Sequence, residues 1–264
     1  MQGTRPFRSS ARPGPAIRPR FAAPPAPQAT DPWDGVLCVD KPAGPTSHDV
    51  VDRIRRHFSI PKVGHGGTLD PMATGLLIVL LGRGTKMSTE FIGLDKGYEG
   101  TLRLGVATDS HDADGVVVRE ADWSGVSAEQ VSEAAAKLTG DLMQVPPMVS
   151  AVKLNGIPLY KRARKGEDVE RGARLIHVYE FSMVAFRLPE VDFRIRCTKG
   201  TYVRKLCADI GEALGCGAHL TALRRTAIGK FRVENALTML RILELRPEEL
   251  QKHITPFRKL ALHP

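Results

Sequence analysis

The apolar run LLIVLL at residues 76–81 constrains the fold of this chain more than any other stretch. Six consecutive apolar residues without polar alternation predict a buried strand, and the run is far too short to cross a bilayer. A loop rich in glycine and threonine, GHGGTLDPMATG at residues 64–75, directly precedes the run. The sequence therefore predicts that this loop leads into a buried strand.

Helix and strand patterns are mixed along the rest of the chain without regular strand–helix–strand units, which favours an α+β fold. The predicted strands cover residues 35–40, 76–81, 98–104, 178–186 and 191–197. The predicted helices cover residues 47–58, 85–92, 128–138, 201–214, 219–225 and 236–245. With 264 residues, the chain has room for one large domain, or for one domain and a small module.

The first 30 residues differ from the rest in composition, with five arginines, seven prolines and no acidic residue. Such a segment buries too little apolar area to offset its ordering entropy, so residues 1–33 are predicted to be disordered. The tail supplies five of the nine net positive charges, which suits a polyanionic partner, although simple solubility explains the charge equally well. A lack of acidic residues is also typical of transit peptides, but the prolines disfavour the amphipathic helix of such a segment.

The spacing of the cysteines and the incomplete match to several familiar motifs exclude some classes of site. The four cysteines are too widely spaced for a CxxC zinc site or a disulfide framework, so a reducing cytoplasm fits best. Residues 82–86 read GRGTK, which is not a phosphate-binding Walker loop, and a GxGxxG starting at Gly64 meets Leu69 where glycine is needed. The segment DSHDADG at 109–115 resembles a calcium loop, but Ala121 then stands where a glutamate is required, so an Asp- and Gly-rich turn is preferred.

Asp70 is the one carboxylate in the glycine-rich loop, and three roles are open to it. It could cap a helix that starts at Pro71. It could bind a metal, although no second carboxylate lies within the loop. It could also be a nucleophile or base, because glycines allow a substrate to approach closely.

Other candidates carry similar alternatives. His65 is either structural or functional, and Tyr98 is either a core residue or a platform for a base. The segment 153–174, with seven basic and three acidic residues around Tyr160, is either an RNA-binding arm or a solvated surface. Arg204 lies at the start of a predicted helix, where a cation gains nothing from the helix dipole, so a specific anionic partner is favoured.

Five blocks of sequence, considered together, resemble the TruB family of bacterial tRNA pseudouridine-55 synthases. They are DKPAGPTSHDVV (40–51), KVGHGGTLDPMATGLL (62–77), KGYEGTLRLGVATDSHDADG (96–115), QVPPMVSAVKLNG (144–156) and CTKGTYVRKLCADIGEALGCGAHLTALRR (197–225). The resemblance covers most of residues 35–230. It implies the pseudouridine synthase fold, a large mixed sheet flanked by helices and loops, with a catalytic domain at 34–235.

The resemblance also implies roles for individual residues. Asp70 matches the catalytic aspartate of the family, and Arg204 matches the arginine that pairs with it. Tyr98 matches the tyrosine that stacks on the flipped uracil, and its hydroxyl could relay a proton. His65 matches a histidine that holds the rearranged RNA, whereas Tyr202 and Leu223 match positions lining the uracil pocket.

The implied activity is the isomerisation of uridine 55 in the T-loop of tRNA, with base flipping and without a metal or organic cofactor. The family also suggests a monomer, and the T-arm of tRNA as the partner. Many relatives carry a C-terminal PUA domain, but the stretch after Val233 is too short for one, so residues 236–264 are expected to be a helix and tail. A tRNA-binding or tRNA-folding protein whose chemistry is secondary remains the alternative function.

Overall fold

The computed structural model describes residues 31–260, except residues 149, 151–152, 155, 159–161, 163–166 and 168. Nearly all of the predicted tail 1–33 therefore lies outside the described residues. The same is true of Tyr160 and much of the basic segment around it.

The described chain contains short helices and many strands. The helices are α1 Ser47–His57, α2 Ser88–Gly93, α3 Ala128–Ala136, α4 Val203–Ala213, α5 Met239–Glu244 and α6 Pro247–Gln251. The strands are β1 Gly35–Lys41, β2 Val63–His65, β3 Thr74–Leu81, β4 Lys96–Leu104, β5 Val106–Thr108, β6 Val117–Glu120, β7 Gly140–Gln144, β8 Lys153–Leu154, β9 Ile157–Pro158, β10 Arg174–Arg187, β11 Glu190–Cys197, β12 Ala218–Ile228, β13 Phe231–Arg232, β14 Leu237–Thr238 and β15 Thr255–Pro256. None of the helices in these ranges is both long enough and apolar enough to span a membrane.

Eleven of these strands form one mixed sheet, with the main order β14-β1-β3-β12-β4-β11-β10-β7. The strands β2, β13 and β15 pair with β3, β12 and β1. The neighbours β3 and β12 run parallel, whereas β12, β4, β11 and β10 are successively antiparallel. The predicted α+β fold with a large mixed sheet is confirmed.

The strand β3 is buried on both faces, as the LLIVLL run predicts. Its odd-numbered apolar residues, such as Leu77 and Val79, pack with Ile54 of α1 and Ile242 of α5. Its even-numbered apolar residues pack with Phe91 and Ile228 on the other face. The loop that precedes β3 is thus attached to the most deeply buried strand of the sheet.

The predicted helix at residues 219–225 is wrong, because this stretch belongs to β12 in the middle of the sheet. Two irregularities in the pairing of β12 with β4, at Leu220/Ala222 and at Arg225/Ala227, interrupt the period of two. Because of the first irregularity, Leu220 and Leu223 are both buried although they are three residues apart in sequence. A separation of three residues is also the spacing of one face of a helix, so the pattern resembles that of a helix.

The C-terminal residues extend the sheet and its core. Both β14 and β15 pair with β1. The buried side chains of Ile242, Leu250 and Ile254 join the cluster that contains Ile54 of α1. Only Met239–Glu244 of the predicted helix 236–245 is helical, because Leu237 and Thr238 form β14.

Candidate active site

Asp70 lies in the loop between β2 and β3, and it does not cap a helix. The residues that follow form a turn, in which the Ala73 N–H donates to the Asp70 carbonyl over 3.1 Å. The strand β3 then begins at Thr74. The helix-cap interpretation is therefore wrong, which leaves the carboxylate of Asp70 without that local structural role.

Lys41 and Ser47 hold the main chain beside Asp70. The fully buried Lys41 ammonium donates to the carbonyls of Pro42, Pro71 and Ala73 at 2.9, 3.1 and 2.7 Å, which uses its three protons. Its burial lowers the pKa of Lys41 to about 8. The Ser47 hydroxyl accepts the Leu69 N–H over 2.9 Å and donates to the Leu69 carbonyl over 3.2 Å. The residues on both sides of Asp70 are thus fixed by buried polar side chains.

Arg225 of β12 holds the preceding part of the loop. Its guanidinium donates to the carbonyls of Gly67 and Thr68, both at 3.1 Å, and to that of Leu76 at 2.7 Å. The side chain is only 1% exposed. The loop that contains Asp70 is therefore attached to a central strand as well as to β1 and α1.

Arg204, at the start of α4, lies between two carboxylates. Its Nη1 is 3.0 Å from Oδ2 of Asp112, and its Nε is 3.7 Å from Oδ2 of Asp70. The side chains of Arg204 and Asp112 are 4% and 5% exposed, whereas that of Asp70 is 41% exposed. Arg204 therefore has the anionic partner that the sequence predicts, and the described residues supply two of them. The buried Asp112 anchors the guanidinium, which also faces the more exposed Asp70.

The carboxyl group of Asp70 titrates in an unusual environment. Burial raises the pKa of Asp70, and the negative charges of Asp112 and Asp114 act in the same direction. The positive charges of Arg204 and Lys41 oppose this shift. Arg204 therefore favours the ionised form of Asp70, as expected of its paired arginine. Burial has the larger effect, so Asp70 ionises at a higher pH than an ordinary aspartate.

Tyr98 lies on β4, directly across from Arg225 on β12. Its ring is half-buried and packs against the core cluster that contains Leu69 and Leu223. Burial raises the pKa of Tyr98 to about 12, although the positive charge of Arg225 opposes this shift. Both interpretations of Tyr98 thus fit its position, since the ring contacts the core and the hydroxyl lies in a charged environment that includes Asp70.

Tyr202 and Leu223 lie on the two elements that flank this region. Tyr202 precedes α4, where its N–H donates to Oε1 of Gln144 over 2.8 Å and its carbonyl accepts from Nε2 over 3.2 Å. The guanidinium carbon of Arg204 is 5.9 Å from the centre of the Tyr202 ring. Leu223 is 9% exposed and lies opposite Gly100 on β4. The structure thus brings Asp70, Tyr98, Tyr202, Arg204 and Leu223 to one region.

His65 lies at the end of β2, and its contacts link it to the loop rather than to the carboxylate of Asp70. The Gly67 N–H donates to its Nδ1 over 3.4 Å. Burial and the charges of Arg225 and His48 lower the pKa of His65, which favours the neutral ring. With Nδ1 as the acceptor, the neutral tautomer carries its proton on Nε2.

Three polar residues of the site were not among the candidates from the sequence. Asp112 was assigned to a turn, and the turn exists, since Oδ1 of Asp112 accepts the Asp114 N–H over 3.2 Å. Its other oxygen nevertheless binds Arg204, which is 92 residues away in sequence. Lys41 and Arg225 lie inside the blocks that resemble the family, but spacing alone does not reveal their long-range partners. The described residues contain no group of three or more His, Cys, Asp or Glu side chains placed to hold a metal ion.

Comparisons with known proteins extend these observations. A family model described as the N-terminal domain of TruB family pseudouridylate synthases matches residues 55–203. A second, described as the tRNA pseudouridylate synthase B C-terminal domain, matches residues 204–261. The tRNA pseudouridine synthase B of Opitutus terrae is 52% identical over 228 residues, which cover 86% of this chain and 95% of that relative. The protein of the same name from Dechloromonas aromatica is 50% identical over 206 residues, or 78% and 69% of the two chains.

One solved structure supports the fold. A chain in the crystal structure of a Cbf5-Nop10-Gar1 complex matches with a TM-score of 0.68 at 30% identity, over 85% of this chain. This chain spans 60% of the length of that solved chain.

The matched family domains include Asp70, Tyr98 and Arg204, so the region where these side chains meet lies within them. The mixed sheet and these matches define the class of protein, which is a pseudouridine synthase. Within that class, the chain belongs to the TruB family.

Proposed function

We propose that this protein converts uridine 55 in the T-loop of tRNA into pseudouridine. The observation that carries the proposal is the partly exposed carboxylate of Asp70 beside the buried Arg204, with Tyr98 and Leu223 in the same region. The relative from Opitutus terrae, which is named as a tRNA pseudouridine synthase B and is covered over 95% of its length, supports tRNA as the substrate.

The reaction needs few groups because nothing is oxidised and no outside atom is added. The N1–C1′ bond of uridine breaks, the uracil turns, C5 bonds to C1′, and the C5 proton is replaced by one on N1. Asp70 supplies the carboxylate, which either adds to the substrate as a nucleophile or removes a proton as a base. Arg204 stabilises its negative charge.

The substrate base has to leave its stack to reach Asp70, as in other enzymes that act on a base. Tyr98 offers a ring for stacking, an interaction worth about 1–3 kcal/mol per base in single-stranded complexes. Leu223 and Tyr202 form the sides of the proposed uracil pocket, and His65 holds the RNA next to it. A splayed T-loop presents its bases in the form that such proteins recognise.

The remaining parts of the proposal concern the state of the protein. We propose a monomer that acts on the tRNA T-arm in the cytoplasm and uses neither a metal nor an organic cofactor. The buried cysteines are free thiols, which fits a reducing compartment. Residues 34–235 form the catalytic domain, and the described residues after 235 add β14 and β15 to its sheet and apolar side chains to its core.

The test uses an unmodified T-arm minihelix and an assay for pseudouridine. We expect the wild-type protein to convert uridine 55 completely. No pseudouridine should form when that uridine is replaced by cytidine. Asp70→Asn should abolish conversion while the Kd for the minihelix stays the same, because the amide can neither attack nor accept a proton. Absence of product at stoichiometric wild-type protein, with binding intact, would instead support the tRNA-binding alternative.

A further inference from the structure

Arg225 is the largest fully buried side chain of the described residues, and it carries a charge. Its three nitrogens donate to three main-chain carbonyls, those of Gly67, Thr68 and Leu76. In the described part of the chain, no carboxylate lies within ion-pair distance of its guanidinium, whose hydrogen-bond partners are these carbonyls. A buried cation without a carboxylate partner is costly, so the position of Arg225 calls for an explanation beyond filling space.

Tyr98 lies beside this guanidinium. Arg225 and Tyr98 are direct cross-strand neighbours on β12 and β4. The positive charge of Arg225 lowers the pKa of Tyr98, against the larger effect of burial, so the two side chains share one buried environment.

The same guanidinium also fixes the loop of the candidate nucleophile. Thr68, whose carbonyl it binds, lies two residues before Asp70. One rigid side chain therefore sets the course of the loop into Asp70 from the strand position directly across from Tyr98. Since the guanidinium is planar, with its donors in a fixed fork, its three bonds leave the loop little freedom relative to β4 and β12.

We propose that Arg225 is a positioning residue of the isomerisation, which holds the Asp70 loop in a fixed place relative to Tyr98 on the neighbouring strand. The proposal rests on the proposed function. It assigns Arg225 the task of keeping Asp70 and Tyr98 in register with each other around the bound nucleotide.

Arg224 provides a matched control for substitutions of Arg225. It is the preceding residue on the same strand, but its guanidinium pairs with Asp40 at 3.0 and 2.7 Å and is 41% exposed. Substitution of Arg224 therefore removes an arginine from β12 without touching the Asp70 loop. We compare Arg225→Gln, Arg225→Lys and Arg224→Gln with the wild type.

The first measurement is the single-turnover rate on the T-arm minihelix at saturating protein, together with the Kd. Arg225→Gln should lower the rate by about 100-fold, the loss typical of a misplaced reacting group, with an unchanged Kd. Arg225→Lys should recover part of the rate because it keeps a cationic donor, and Arg224→Gln should react like the wild type. A wild-type rate for Arg225→Gln, or rate losses shared equally by Arg224→Gln, would overturn the proposal.

The second measurement does not depend on activity. Protein labelled with 3-fluorotyrosine gives resonances for four tyrosines, of which Tyr98 is assigned by Tyr98→Phe. Arg225→Gln should move the Tyr98 resonance and raise the pH at which it titrates, because Arg225 lowers the pKa of Tyr98, whereas Arg225→Lys should restore both in part. An unmoved resonance refutes the coupling of Arg225 to Tyr98, and thereby the proposal, even if the wild-type protein converts no RNA. A wild type that fails on the T-arm while the resonance moves refutes only the proposed function.

Discussion

At the scale of single residues, the central feature of the site is that two carboxylates share one arginine. Asp112 holds the closer contact with Arg204, at 3.0 Å against 3.7 Å for Asp70. The negative charge of Asp112 also contributes to the raised pKa of Asp70. The result is a carboxylate that is paired loosely and binds a proton more readily than usual, which suits either a nucleophile or a base.

A substitution of Asp112 tests this arrangement. Asp112→Asn removes a negative charge near Asp70 and frees Arg204 to pair with it, and both changes lower the pKa of Asp70. Because both proposed roles of Asp70, nucleophile and base, require its ionised form, the acid limb of the pH–rate profile should move to lower pH. The plateau rate should fall, since Arg204 loses its anchor.

The profile is measured as the single-turnover rate on the T-arm minihelix. Asp114→Asn is the control, because Asp114 raises the pKa of Asp70 as well but forms no ion pair with Arg204. It should shift the acid limb in the same direction and leave the plateau unchanged. An acid limb that moves to higher pH in Asp112→Asn would contradict this account.

The candidate residues divide according to how local their signal is. Asp70, Tyr98 and Arg204 lie in distinctive short motifs, and the resemblance to a family was sufficient to select them. The partners of these residues are long-range: Asp112 meets Arg204 across 92 residues, and Arg225 meets Thr68 across 157. A single sequence carries no signal of such contacts, because a charged residue in a turn or strand is most often solvated.

At the scale of elements, β12 decides how the site is built. It lies between β3 and β4, carries Leu223 on one side of the site and presents Arg225 to the loop of Asp70. The strands with clean patterns, such as β3 and β11, could be predicted from the sequence. The irregular pairing of β12 with β4 interrupts the alternation of buried and exposed residues by which β12 would have been recognised as a strand.

Gly75 permits the close contact between β3 and β12. Its φ is +97°, and a Cβ at this position would lie 2.3 Å from the Arg225 carbonyl oxygen. Gly75→Ala should therefore lower the free energy of unfolding by more than the cost of about 1–3 kcal/mol that is typical of a strained backbone alone. It should also lower the single-turnover rate, since the main chain of Arg225 has to shift.

Gly44→Ala is the matched control for this prediction. Gly44 has a similar φ of +103°, but a Cβ there would meet nothing within 4 Å. Chemical unfolding should show a larger loss for Gly75→Ala than for Gly44→Ala. Equal losses would mean that β12 tolerates the displacement and that the contact does not constrain the site.

At the scale of the whole molecule, the sheet brings together residues that are far apart in the chain. The loop before β3, the strand β4, the start of α4 and the middle of β12 converge because β3, β12 and β4 are adjacent. The sequence predicted the mixed α+β class from the element pattern. The strand order could not be predicted, since pairing between distant strands depends on tertiary contacts that local patterns do not encode.

The basic tail is the last feature of the whole molecule that bears on function. Residues 1–30 contain five arginines and no acid, and they lie outside the described residues. If these arginines contact RNA phosphates, each contact releases counterions and contributes about 0.7–0.9 to the slope of log K against log salt concentration. Deletion of residues 1–30 should therefore weaken binding of full-length tRNA at low salt and reduce the slope by up to about 4. The single-turnover rate at saturating protein should stay the same, because the tail carries none of the proposed catalytic residues.

A full-length variant with all five arginines changed to glutamine separates the effect of charge from that of chain length. This variant should behave like the deletion if the charge of the tail binds tRNA. An unchanged slope in both variants would show that the tail does not bind tRNA.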